Sequence, residues 1–373
     1  MSIKFLLSFT FLLFSFLTVH NQSLNPWTGK IICFNENKII QNEGTFEGYK
    51  AYYGTYAHLQ NIEKYTAIPF LLFKNNNSNK KPLLLIFNGG PGITNFRLPE
   101  GVDTLLTIFD ILLPGYQGID VIQDSTFKIP ENNINIIRTI AQDAAGIVKN
   151  LNPDTVLVVG HSFGTVYATN FLNEFNTAQH YAIFFSPITL TDITEEINGM
   201  SQMLYSYFKN DSCQHLYETL INYLKLSTAQ EKTVMGLIYY LSTFENFNNL
   251  KTSLQNGINP NPLLLSIYQQ QTKNLNKKSQ KENLSNCFFI PKNFFNDNEN
   301  DTFIKQLIFK YFIPLIDNRL QPEKKTIDLP ETVITYSGEY DYHIISKEII
   351  PSAAHFDIWK NAYKYIIQTW FEK

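Results

Sequence analysis

A lone serine stands between two glycines in VLVVGHSFGTVYATNFL, residues 156 to 172, where the order is Gly160-His161-Ser162-Phe163-Gly164. A serine hydroxyl is a weak nucleophile unless a base takes its proton and preformed donors receive the negative oxygen. A strand that turns sharply into a helix meets part of that need. It lifts the side chain above the sheet edge, at the positive end of the helix dipole. Such a turn is crowded, so its flanking positions must be small, the role of Gly160 and Gly164. The motif alone is weak, since it arises by chance in many chains. Here an apolar strand pattern precedes it and a helical pattern follows, and that context makes Ser162 the candidate nucleophile.

The other parts follow from what the serine needs. NGGPG, residues 88 to 92, comes directly after the apolar run PLLLIF and upstream of the serine. Consecutive glycines let backbone approach a substrate closely, and Pro91 stiffens the turn. The backbone N–H groups of Gly90 and Phe163 are the candidate oxyanion donors. An acid and then a histidine must follow in chain order. TVITYSGEYD ends a buried strand pattern with Asp341 just beyond it, and EIIPSAAHFDIW sets His355 between small residues and a last helical pattern. Asp341 would orient the imidazole and His355 would take the serine proton. Glu339 is the rival acid and His343 the rival base. His161 reads as a residue packed beside the site, and His20, His58, His180 and His215 have no catalytic context.

The elements that must position these residues alternate. The runs at 82–87, 155–160 and 181–185 read as strands buried on both faces, and 332–338 is a later one. Apolar residues at helical spacing fill 134–151, 166–175 and 358–371. Residues 48–73 read as a β-hairpin region that ends in the polar turn KNNNSNKK. Strand, helix, strand is the grammar of a parallel sheet with crossover helices. Between 190 and about 325 the rhythm stops. Helical patches at 195–208, 216–226, 234–247 and 303–312 are separated by polar loops such as KNLNKKSQKENLSN. The expected organisation is a signal peptide over 1–22, an α/β core over 23–189 and 326–373, and a mostly helical cap over 190–325.

Composition narrows the class. Hydrophobic residues make up 44% of the 373 and charged residues 17%, a globular balance, and the net charge of −3 gives no electrostatic case for nucleic acid. Lys4 precedes an uncharged apolar run of fifteen residues, Phe5 to Val19. That suits a secretory segment better than a membrane span, which needs about 20 residues. Export to a periplasmic, extracellular or secretory compartment is expected, with an uncleaved anchor as the alternative. Export would allow Cys213 to pair with Cys287, leaving Cys33 free; three unpaired thiols are the equal alternative. No Cys or His spacing suggests a metal. Five Asn-x-Ser/Thr sequons begin at Asn21, Asn76, Asn210, Asn283 and Asn300.

With NGGPG, GHSFG, GEYD and AAHF on the page, residues 82–188 and 330–371 resemble an α/β-hydrolase, most closely the proline iminopeptidase and tripeptidyl aminopeptidase group. The resemblance implies hydrolysis of an amide or ester through an acyl-enzyme, with no cofactor and a small peptide or ester as substrate. It also implies cap glutamates that hold a free amine, for which Glu195 and Glu196 are the positions at hand. Three departures are visible. Asn88 stands where the group has histidine, residues 116–130 lack its Asp-x-Arg-Gly-x-Gly-x-Ser stretch, and Asp341 and His355 lie only fourteen positions apart. Serine carboxypeptidases share the asparagine, but they carry glutamate where this chain has His161. A carboxylesterase or lipase is the alternative within the same chemistry, and a catalytically silent binding protein is the alternative outside it.

Overall fold

Runs too apolar to alternate build the middle of one nine-stranded sheet. The structure is a computed structural model that describes all residues except 1–38, 62–63, 75–80, 117–118, 121–135, 176–178, 189–192, 211–212, 274, 276, 288–301, 317–332, 342–347 and 373. All described residues belong to one compact unit. In chain order the strands are β1 (Ile39–Phe46), β2 (Tyr49–Asn61), β3 (Lys64–Phe73), β4 (Leu83–Phe87), β5 (Asp110–Pro114), β6 (Thr155–His161), β7 (Gln179–Phe185), β8 (Val333–Tyr340) and β9 (Glu348–Ala354). The sheet runs β1-β2-β3-β5-β4-β6-β7-β8-β9. The first three strands and the β3–β5 pair are antiparallel, and every pair from β5 to β9 is parallel.

Each face of that sheet is covered by helices, which explains the unbroken apolar runs. Every residue of β4 is buried. Successive side chains of a strand point to opposite faces, so a doubly covered strand can spare no position for a polar group. On one face Leu83, Leu85 and Phe87 join a core with α2 (Ile136–Leu151) and α3 (Gly164–Glu174). On the other lie α1 (Val102–Ile108) and the C-terminal helix: Trp370 packs edge-on to Phe109 and Tyr181, and Trp359 to Phe185. Between β7 and β8 the chain forms α4 (Ile193–Asn210), α5 (Gln214–Lys225), α6 (Gln230–Leu241), α7 (Phe244–Gln255), α8 (Asn261–Thr272), α9 (Lys277–Cys287) and α10 (Thr302–Phe312). The last helix is α11 (His355–Glu372).

Several sequence expectations need correction. KNLNKKSQKENLSN is not a loop: its second half is helix α9, and its buried residues include Gln280, Asn283 and Ser285. Apart from Leu284 and Cys287 its inward face is made of amides and a hydroxyl, which is too little to read as an apolar stripe. The patch at 234–247 is two helices that break at Ser242 and Thr243, and α8 matches none of the helical patches in the sequence. Of the two alternatives for Cys213 and Cys287 the structure has the thiols, with no disulfide between them. Cys33, the apolar N-terminal run and the turn at 75–80 lie outside the described residues, as do the sequons at Asn21, Asn76 and Asn300. Asn283 is fully buried and accepts a hydrogen bond from the Tyr167 hydroxyl at 2.8 Å, so the folded chain offers no glycan site there. Among the described residues no helix is long and apolar enough to cross a membrane.

One buried acid makes stability depend on pH. Asp143 lies on the inward face of α2, and burial pushes its carboxyl well above the usual carboxylate range. A folded-state pKa raised above the unfolded value of about 3.9 favours folding most strongly below that value, and the contribution fades as pH rises towards the folded pKa. Asp143→Asn should flatten the fall in unfolding free energy between about pH 4 and pH 7, read by urea denaturation at several pH values. An unchanged pH slope in the variant would refute the assignment.

Candidate active site

Ser162 occupies the turn between β6 and α3 at φ +52°, a left-handed conformation that a non-glycine residue adopts at a cost of about 1–3 kcal/mol. The surroundings hold it there. Its N–H donates to the Phe185 carbonyl at 2.9 Å, and its own carbonyl accepts from the Thr165 N–H at 2.9 Å and the Thr165 hydroxyl at 2.7 Å. Gly164 lies so close to the end of β4 that a side-chain carbon there would sit 2.1 Å from the Phe87 carbonyl oxygen. The sequence motif therefore reports a packing distance as well as a turn.

The Gly-rich loop after β4 closes over the same residue. A Cβ placed on Gly89 would fall 2.7 Å from the Ser162 Cβ and 2.7 Å from the His161 carbonyl, so only glycine passes there. Gly90 follows with φ +94°, and Phe163 is the residue preceding α3. Two buried asparagines fix this loop. The Asn88 N–H donates to Asn95 Oδ1 at 2.7 Å, while Asn88 Nδ2 donates to the carbonyls of Asn95 at 2.7 Å and Arg97 at 3.0 Å. Asn95 Nδ2 in turn donates to the carbonyls of Ile86 and Pro114. Tyr116 donates its hydroxyl to the Asn88 carbonyl at 2.8 Å. Asn88 thus holds the loop by hydrogen bonds. Asn95 escaped the sequence reading because nothing in a lone asparagine marks it as a brace.

Asp341 and His355 meet. Asp341 Oδ1 lies 3.0 Å from His355 Nδ1, with both side chains buried. The thirteen intervening residues hold strand β9, and residues 342–347, His343 among them, lie outside the described residues. Glu339 is exposed, which leaves Asp341 as the buried acid. Ser186, at the end of β7, also has a left-handed φ of +52° and donates its hydroxyl to Asp341 Oδ2. Both carboxylate oxygens are therefore engaged. His161 stacks on Trp359 with ring centroids 4.9 Å apart and lies 4.8 Å from the His355 ring. Its Nε2 faces the His355 carbonyl at 3.3 Å. Burial first, and then the neighbouring His355, hold its imidazole well below the ordinary histidine pKa, so it packs as a neutral ring. The His355 ring therefore lies against the residue that precedes Ser162.

The helical insertion is bonded to the residues that flank this histidine. Asp357 Oδ2 accepts the N–H of Ala354 at 3.1 Å and the N–H of Phe244 at 2.7 Å, and the Phe356 N–H donates to the Ser242 carbonyl at 2.8 Å. One carboxylate thereby caps α7 of the insertion and α11, which begins with His355. Of the two glutamates considered for amine binding, Glu196 is buried on α4 and acts electrostatically on Cys287, and the Glu195 side chain lies outside the described set. Among the described residues no three His, Cys, Asp or Glu side chains form a metal-holding group.

A mostly parallel sheet, helices on both faces, a helical insertion after β7 and a strained serine between β6 and α3 make this the α/β-hydrolase fold. No protein-family model matches the sequence, and no curated protein does. The chain is similar in structure to a serine hydrolase from the polyaromatic hydrocarbon-degrading bacterium Cycloclasticus zankles, at 12% identity, TM-score 0.42, covering 90% of this chain and 98% of that one. It is also similar to a marine microorganism esterase, at 15% identity, TM-score 0.37 and coverage of 81% and 97%. A third likeness is the epoxide hydrolase CorEH, at 13% identity, TM-score 0.35 and coverage of 90% and 98%. The fold assignment stands on the sheet order and its connections.

Removing the Asp357 carboxylate leaves two N–H groups without their acceptor. Asp357→Ala should lose about 1–3 kcal/mol of unfolding free energy, and Asp357→Asn less, because the amide oxygen keeps one acceptor. Equal stability of the alanine variant and the parent in chemical denaturation would show that the bridge contributes nothing.

Proposed function

We propose that the protein is a serine hydrolase that cleaves an ester or amide through an acyl-enzyme, with Ser162 as nucleophile, His355 as base and Asp341 as the acid that orients it. The observation that carries this reading is the buried Asp341–His355 pair, whose ring packs on His161 beside the strained Ser162. With the Nδ1 proton held by Asp341, the Nε2 atom of His355 is the one left to accept a proton. In the reaction Ser162 Oγ adds to the substrate carbonyl as its proton passes to His355. The N–H groups of Gly90 and Phe163 receive the negative oxygen. Collapse expels the leaving group, which takes the proton from His355, and water repeats the sequence to release the acid and restore the serine.

Within that chemistry we favour an esterase. Its support counts against the rival: Glu196, one of the two cap glutamates that an aminopeptidase would use, is buried near Cys287, whereas an exposed cation, Arg97, stands at the loop. The aminopeptidase reading keeps one observation of its own, a carboxylate retained in the interior of the insertion. Export remains part of the proposal on the strength of the apolar N-terminal run.

A fluorophosphonate probe should label the intact protein, and Ser162→Ala should abolish both labelling and turnover, the latter by about four orders of magnitude or more. Label retained in the alanine variant would remove Ser162 from the mechanism, and an intact protein that never labels would promote the silent binding protein. Short acyl esters, aminoacyl anilides and prolyl anilides assayed side by side should give turnover of the esters first. Preference for the anilides would restore the aminopeptidase.

A further inference from the structure

The loop that closes over Ser162 carries a positive charge with no ion-pair partner among the described residues. Arg97 is exposed to solvent, and its guanidinium makes only two long contacts, Nη2 to the Gly89 carbonyl and Nε to the Thr94 carbonyl, each 3.4 Å. A guanidinium has five N–H donors in a rigid fork, so most of its capacity is unspent. The nearby carboxylate, Asp120, is occupied. Its Oδ2 accepts the N–H groups of Tyr116 at 2.8 Å and Asn95 at 3.2 Å, and Thr94 also donates to it. Burial raises the Asp120 pKa to about 6 and acts on Arg97 in the opposite sense, while Tyr116, Asp120 and Glu47 favour the charged guanidinium.

Position gives the charge its meaning. Gly89, whose carbonyl Arg97 touches, is the residue that passes against the Ser162 Cβ, and the charge of Arg97 is felt as far as His161. The backbone carbonyl of Arg97 is held separately, by Asn88 Nδ2 at 3.0 Å. The loop thus has an anchor at Arg97 that does not use the side chain. An exposed guanidinium, with carboxylates near it but none in an ion pair with it among the described residues, thus stands against the neighbour of a proposed oxyanion donor.

We infer that Arg97 completes that pair with the substrate: it docks a carboxylate carried near the scissile carbonyl, so the substrate class is a half-ester or half-amide of a short dicarboxylic acid. The inference rests on the hydrolase reading for the identity of the scissile bond, but the docking itself does not require turnover. Arg and carboxylate match as a two-point fork, which fixes orientation as well as affinity. Neutral acyl groups of the same length lack that contact and leave the guanidinium unpaired.

The test measures binding without reaction. In the Ser162→Ala protein, monoethyl glutarate and its neutral isostere ethyl pentanoate are titrated calorimetrically at low salt. The anion should bind about tenfold tighter or more, the usual worth of a charge-assisted hydrogen bond. Added salt should reduce the ratio if the fork stays partly solvated. Adding Arg97→Gln should bring the ratio of the two affinities close to one, while Arg97→Lys, which keeps the charge but loses the fork, should fall between. Thermal unfolding of each variant checks that the loop still folds. Equal affinities in the parent, or a preference that survives Arg97→Gln, would overturn the inference. Fluorophosphonate labelling of the protein with Ser162 intact separates the two claims. A labelled protein without anion preference sinks the docking site alone, and an unlabelled protein with it sinks the hydrolase reading alone.

Discussion

Contact between two backbones governs this molecule. The loop through Gly89 and the turn at Ser162 approach so closely that one added methyl group would overlap the serine's own Cβ. The left-handed φ of Ser162 is uphill by itself and persists because hydrogen bonds and packing on every side determine it. The Ser162 N–H bonds to the end of β7 and the carbonyl is held by Thr165. Gly164 seats the start of α3 on the end of β4. The energy that binds the two-faced sheet together is what keeps the serine strained.

A second arrangement repeats one strand over. Ser186 ends β7 as Ser162 ends β6, with the same sign of φ and with its N–H given to the next strand, at the Tyr336 carbonyl. Its hydroxyl serves the carboxylate of Asp341, whose other oxygen faces His355. A buried carboxylate is expensive to keep unless its lone pairs are satisfied, and a histidine alone would leave one oxygen bare. Ser186 removes that penalty. Asp357 then ties the residue before His355 to the first turn of α7, and the residue after it donates to the Ser242 carbonyl. The first turn of α7 and the peptide that leads into His355 thus share one carboxylate.

Much of this was legible from residue types. A buried strand with no polar position, a glycine pair after it and small residues around a serine each have a single physical cause, so VLVVGHSFG and LIFNGGPG could be read directly. The acid and the histidine were readable from order alone, although their spacing suggested too little chain; strand β9 fits between them because it adds directly beside β8. Three things were not legible. Asn95 acts through four hydrogen-bonding groups that leave no periodic trace. Ser186 follows β7 as any residue ending a strand would. Helix α9 hides its inward face behind polar side chains, so the hydrophobic pattern that marks other helices is absent.

That polar helix explains how a chain rich in amides builds an interior. Tyr167, on the helix that starts beside Ser162, is fully buried against Tyr116 and Phe163, and its hydroxyl needs a partner there. Asn283 supplies it, which puts an amide of the insertion in contact with the helix of the nucleophile turn. An apolar join would tolerate sliding, because hydrophobic contact is nondirectional. A buried hydroxyl–amide bond is directional, and shifting it by a residue leaves two polar groups unsatisfied at a cost of about 1–3 kcal/mol each. The insertion is therefore held in one register over α3 by its polar residues, and the apolar residues around them supply most of the adhesion.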